Sequence, residues 1–127
     1  MDKIQAYDMF WNSFGIVAYN ESSVPEEDES GRPVKDIPHI TYEAAEDDFD
    51  HPLALTASIW YRSSSWADSV AKEKEIKAAI GRGGKLVPYD GGAFWIKRAS
   101  PWTRQLGDEN DDSVRRTLLN LEVEFID

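Results

Sequence analysis

The chain predicts a single α+β domain spanning residues 1–127, an antiparallel sheet with two helices packed on it, in the order α-β-β-α-β-β-β. Three observations carry this. Leu53, Leu55, Ala57, Ile59 and Tyr61 fall on one face of the stretch Leu53–Arg62, and Thr56, Ser58, Trp60 and Arg62 on the other, as in a strand with one buried face. Residues 66–80 change to a helical spacing and stop at a glycine-rich segment, 81–85. Tyr89-Asp90-Gly91-Gly92 supplies the strongest hairpin signal, because Asp-Gly adopts the positive φ angles of a two-residue turn. A chain of this length builds one core and is too short to divide into two. Hydrophobic residues make up 41% of it, with five each of Trp, Tyr and Phe, enough to fill that core.

Taken in order, Asp2 is placed to cap a first helix whose apolar stripe is Ile4, Tyr7, Phe10, Trp11 and Phe14, and Gly15 stops it. Residues 16–19 leave room for a short strand. Residues 20–36 then lose all periodicity and carry the run Glu26-Glu27-Asp28-Glu29, so they read as a loop, mobile in the isolated protein and ordered on assembly. Residues 37–45 are β-branched and aromatic, with Pro38 at the start of the strand, and pair antiparallel with Leu53–Arg62. Ser65 and Asp68 have capping-box spacing for the second helix. Its inward stripe is Trp66, Val70, Ile76 and Ile80, with Ala67, Ala71 and Ala79 allowing close approach to the sheet. The hairpin arms are 85–89 and 93–98, and Pro88 suggests that the first arm is an edge. Residues 100–113 read as a second mobile loop. Residues 114–126 form the longest strand, with Arg115, Thr117, Leu119, Leu121, Val123 and Phe125 on one face.

Charge narrows the function. Twenty-four acidic residues stand against 14 basic ones, a net charge of −10, which opposes stable binding to a phosphate backbone. No run of about eighteen apolar residues offers a transmembrane helix, and the N-terminus lacks the order of a signal peptide. Cysteine is absent, which fits a reducing compartment.

No stretch supplies a recognisable catalytic, cofactor or metal set. The segment Gly81-Arg82-Gly83-Gly84-Lys85 fails as a phosphate loop, because Ala79 stands where the pattern needs its first glycine and the helix precedes the loop. Asp108, Asn110 and Asp112 open like a calcium loop, but Ser113 and Leu119 occupy the positions for the turn glycine and the bidentate glutamate. Asp47, Asp48, Asp50 and His51 form the richest cluster for a divalent ion or acid–base chemistry, yet they sit in one turn rather than converging from several elements. Trp102, outside any periodic element, either plugs the core or anchors an interface, and Trp60 on the polar face of its strand raises the same question.

The stretch 54–63, the helix ending in Gly81-Arg82-Gly83-Gly84, the segment 89–97 and the final Val114-Arg115-Arg116 strand together resemble small proteins from the head–tail gene modules of long-tailed phages and prophages of Gram-positive bacteria. The element order is similar to that of tail terminator, or tail-to-head joining, proteins of the neck. The resemblance implies a virion structural protein, assembled in the host cytoplasm as a ring homo-oligomer, commonly a hexamer. That ring would cap the tail tube and dock it on the head connector or stopper protein. It implies no cofactor, turnover or membrane, with DNA passing through rather than bound. Glu26, Glu27, Arg32, Trp102, Asp108, Asp111 and Asp112 are then the expected interface residues. Three alternatives stand beside it: another head-completion protein of the connector, an acidic binding or inhibitor protein that mimics nucleic acid, and a metal-dependent hydrolase centred on Asp47–His51.

Overall fold

The computed structural model describes residues 1–45, 52–108 and 111–127. Helix α1 (Lys3–Trp11) begins at Asp2, whose carboxylate accepts from the Gln5 N–H at 2.8 Å, while Gln5 Oε1 accepts from the Asp2 N–H at 3.1 Å. This reciprocal cap leaves two fewer orphan donors at the helix start. A short 3₁₀ turn, Asn12–Phe14, extends it to Gly15. Tyr7, Phe10, Trp11 and Phe14 are buried as the spacing predicts, but Ile4 is 75% exposed. The buried face of α1 is instead Ala6, Tyr7, Phe10 and Trp11.

Strands β1 (Val17–Asn20), β2 (His39–Tyr42) and β3 (Leu53–Arg62) follow, then helix α2 (Ala67–Ile80) and strands β4 (Lys85–Tyr89), β5 (Gly92–Asp108) and β6 (Asp111–Ile126). They form one six-stranded sheet in the order β1-β2-β3-β6-β5-β4. The expected order α-β-β-α-β-β-β is corrected in two respects. A strand precedes β2, and it runs parallel to β2, so the sheet is mixed rather than antiparallel. The parallel step follows from the long connection between β1 and β2, which gives the chain room to cross back and re-enter from the same end.

Both helices cover one face. Leu55, Ala57 and Ile59 of β3, Phe94 and Ile96 of β5, and Leu119, Leu121 and Val123 of β6 join Ile76 and Ile80 of α2 and the aromatics of α1 in a single core. Trp11, wholly buried, stacks on Tyr42 at 6.2 Å between ring centroids and 11° between planes. Tyr7 meets Tyr42, Phe94 and Phe125 edge-on at 5.3–5.6 Å. Such pairs add about 0.5–1.5 kcal/mol each beyond area burial. Lys72 of α2 donates to the Phe14 carbonyl, tying the helices together where α1 ends.

Local details of α2 depart from expectation. It starts at Ala67 with Trp66 as N-cap, and the Trp66 side chain makes no capping hydrogen bond. Ser65 Oγ accepts from the Ala67 N–H at 3.1 Å, one residue too early for the predicted box with Asp68. Ser69 is fully buried, while Ala67 and Ala71 face solvent.

The larger correction concerns residues 100–113. They are strand, not loop, over all their described length: β5 runs on to Asp108 and β6 starts at Asp111. The ladder shifts register between Arg98 and Thr103, and the Ser100–Pro101 peptide in this bulge is cis. Pro101 therefore needs no ladder donor, and its carbonyl accepts from Asn120 Nδ2 at 2.9 Å. β5, at 17 residues, is longer than the 16-residue β6 that was expected to be the longest strand. The 85–89 hairpin arm is as predicted, closed by Asp90-Gly91 with Gly91 at φ +92° and lying at the sheet edge.

Candidate assembly surfaces

The acidic segment between β1 and β2 has its own frame. Asp28 is its pivot: the carboxylate accepts from the Arg32 N–H at 2.8 Å and from the Ser30 hydroxyl at 2.8 Å and N–H at 3.0 Å. Those donors, the Arg32 N–H first, hold the Asp28 carboxyl below the usual carboxylate range. The Asp28 N–H donates to the Arg32 carbonyl, Glu27 bridges to Pro33, and the Val34 N–H donates to the Glu26 carbonyl. Glu26 and Glu27 thus lend their backbone to a tight turn and leave their side chains outside. Arg32 reaches Asp28 with Nε at 3.4 Å. Three of the predicted interface residues are presented together on one loop.

That loop folds over the sheet face that carries no helix. Val34 and Ile37 are buried but stand outside the main core. Beneath them His39 stacks on Trp60 at 5.9 Å with planes 6° apart, and the Arg116 guanidinium lies 4.8 Å over the same indole. Trp60 Nε1 donates to Thr41 Oγ1 at 2.9 Å and Arg116 Nε to Ser58 Oγ at 3.0 Å. Trp60 is therefore the centre of a second, smaller packing layer. Burial pushes the His39 imidazole down, against the Ile37 carbonyl 2.9 Å from its Nδ1, which favours the protonated ring.

Sequence reasoning missed the residue that joins the two expected interface segments. Arg62, the last residue of β3, places Nε 3.1 Å from Asp36 and Nη1 2.6 Å from Asp111 and 2.7 Å from Ser113 Oγ. Ser113, then Arg62, hold the Asp111 carboxyl well below the usual carboxylate range. Arg62 is the one cation in residues 53–71, and its place beside Ser63-Ser64-Ser65 was the available signal. Its partners lie too far away in sequence to be read from spacing, Asp111 by 49 residues. Asp108 pairs with Asp111 in register at the end of the β5–β6 ladder, where the calcium-loop pattern falls. Asp112 continues β6 from there.

We expect Arg62→Gln to free both segments together. Amide exchange should speed up in residues 34–37 and 111–113, with little change in the β3–β6 core, and uniform exchange would contradict this. The clamp's pH dependence has a definite sign. A folded-state pKa held below the unfolded value, about 3.9 for Asp, gives stability that is present above that value. It is lost as pH falls through the lower folded value. Protection of the 111–113 amides, taken relative to the unstructured-chain rate at each pH, should therefore persist at pH 5 and fall only in stronger acid.

Trp102 lies apart from these residues, beside the bulge of β5. It packs half-buried against the core and donates Nε1–H to Glu73 Oε1 of α2 at 2.5 Å. It stands where the β5–β6 ladder shifts register, and Asp111 lies at the hairpin end of the same ladder. Asp47, Asp48, Asp50 and His51 lie outside the described residues. Among the described residues no group of three or more His, Asp or Glu side chains converges as metal ligands would.

No protein-family model matches the chain, and no curated protein sequence does. Its structure is similar to a chain in a solved structure described as "Virion of native gene transfer agent (GTA) particle". The likeness has a TM-score of 0.54 and covers 99% of this chain and 87% of that one, at 15% sequence identity. At that identity the two chains share a fold, and they share it across the whole domain.

Proposed function

We propose that this protein is a structural component of a phage-like virion, acting as a tail terminator. In this reading it assembles as a ring, commonly a hexamer, at the head-proximal end of the tail tube and joins tail to head without catalysing a reaction. The observation that carries the reading is the end-to-end likeness to a chain of a gene transfer agent virion, 99% of this chain against 87% of that one. The residues quoted above for the terminator resemblance point to the same class independently. Its partners are other copies of itself, the tail tube protein and the head connector or stopper protein. The excess of 24 acidic over 14 basic residues suits a conduit that DNA passes without adhering, since adhesion depends on Lys and Arg displacing counterions.

Deleting the gene in the phage or prophage that encodes it tests the proposal. Loss of the protein should leave filled heads and separate tails of irregular length, and added purified protein should join them. Intact particles without it would overturn the reading. Tails of normal length with leaking heads would replace it by a head-completion role.

A further inference from the structure

We propose that a basic cluster on the helix-covered side of the sheet, where α2 hands over to β4, docks on the acidic 26–29 loop of a second copy of this chain. The contact is electrostatic, a group of unpaired cations against a preformed row of glutamates. Closure of that contact into a ring rests on the proposed function, whereas the contact itself rests on the two surfaces.

Three elements bring the cations together. Trp102 of β5 donates to Glu73, so that side of α2 faces β5, and Lys77 follows one turn later on the same side. Lys85 of β4 opposes Ile96, and Arg98 of β5 opposes Leu121. Both partners belong to the core, so both cations project from the face that the helices cover. Arg82 lies between α2 and β4 in the glycine-rich stop.

Lys77, Arg82 and Lys85 are exposed and Arg98 is half-buried. None of the four meets a carboxylate among the described residues, whereas Arg32, Arg62 and Lys97 each do. The acids within residues 73–107 are already engaged: Glu73 by Trp102, Glu75 by Lys72 and Asp90 by the N-terminal ammonium. Glu122 and Glu124 stand opposite Lys97 and Trp95, on the other face of the sheet. The negative end of the α2 dipole favours a cation at Lys77, in the last turn, but it does not account for Arg98 on β5.

The surface that fits this cluster is carried by the chain itself. Glu26, Glu27 and Glu29 are exposed, and none has an ion pair among the described residues, although Lys35 lies in the same loop. Asp28 holds their backbone in its turn, so presenting the three carboxylates costs little further ordering. Duplex DNA would offer the cluster phosphates, but it would also face the chain's whole negative excess along its length. A neighbour's loop sets three acids against the cluster at short range. The loop joins β1 to β2 at one edge of the sheet and lies over the helix-free face, whereas the cations stand at the other edge on the helix side. Two different surfaces so placed repeat head to tail, as a ring or a filament.

Charge reversal tests this by sedimentation at about 0.15 M salt over a wide concentration range. The patch variant carries Lys77→Glu, Arg82→Glu and Lys85→Glu, and the loop variant carries Glu26→Lys, Glu27→Lys and Glu29→Lys. All six positions are exposed, and circular dichroism checks the fold. The wild type should form species larger than dimers, and each variant alone should self-associate about tenfold or more weakly. The loop variant is the sharper arm. Its three substitutions add six positive units and take the net charge from −10 to −4, so general repulsion falls while the contact is lost. An equimolar mixture should regain the large species, since each variant presents the surface complementary to the other's. A wild type that stays monomeric, variants that associate as it does, or a mixture that gains nothing would each overturn the contact. Duplex DNA retained by a monomeric wild type and released by the patch variant would assign the cluster to nucleic acid instead. Rings on tail tubes that survive both variants would overturn the contact while leaving the tail-terminator reading in place. Association and rescue in a protein that tail tubes never recruit would do the reverse.

Discussion

Trp11→Ala should cost about 3–5 kcal/mol of folding stability, the range for emptying a fully buried Trp or Phe site. The indole is wholly buried, stacked on Tyr42 and surrounded by the rings of Tyr7, Phe10 and Phe14 at 5.1–6.3 Å. Its neighbours come from a helix, a 3₁₀ turn and the interior strand β2, so a partial collapse to fill the void would have to move all three. Domains of this size hold only about 5–15 kcal/mol in total, and the variant is therefore expected to sit near the edge of folding at 37 °C. Urea denaturation measures it: the midpoint should fall sharply with the slope retained. A loss below about 1 kcal/mol would mean that the aromatic cluster is not the centre of the core.

Gly84→Val should destabilise by at least about 2 kcal/mol, through backbone strain and overpacking together. Gly84 has φ +92°, a region β-branched residues avoid. A Cβ there would sit 2.8 Å from the Ile96 carbonyl oxygen and 2.6 Å from Lys97 Cγ, and would strike the Trp95 indole. Side chains can give way, but the Ile96 carbonyl belongs to a paired strand and cannot. Gly83 is the control. Nothing lies within 4 Å of its would-be Cβ and its φ is not in the left-handed region, so Gly83→Ala should change the melting temperature little. Equal effects at the two positions would contradict this account of the glycine-rich stop. That segment is thus a packing device: it turns the chain from α2 into β4 and brings its backbone against Trp95, which donates to the Gly83 carbonyl at 3.2 Å.

Local signals were legible in the sequence, and non-local ones were not. The two-faced spacing of Leu53–Arg62 set both bounds of β3, and Asp90-Gly91 set the hairpin register. The inward face of β6 was read residue by residue, because period-two burial needs no knowledge of the partner strand. Pro101 and the acids near residue 110 mimicked a loop. The β5 bulge takes up the proline, and only two residues separate β5 from β6. The parallel pairing of β1 with β2 had no local mark at all, since it depends on where a long connection returns the chain. For the candidate surfaces, the acidic character of the 20–36 loop was evident. The Arg62 clamp needed three segments to converge.

The proposed function places many copies of this chain at one location, the head-proximal end of a tail tube. Image averaging of the two ends of purified tail tubes, with and without the protein, addresses this directly. The account predicts a ring of this fold added at one end only, absent from the other end and from the shaft, on tubes that no longer elongate. Density spread along the shaft, or tube ends that look the same with and without the protein, would contradict it.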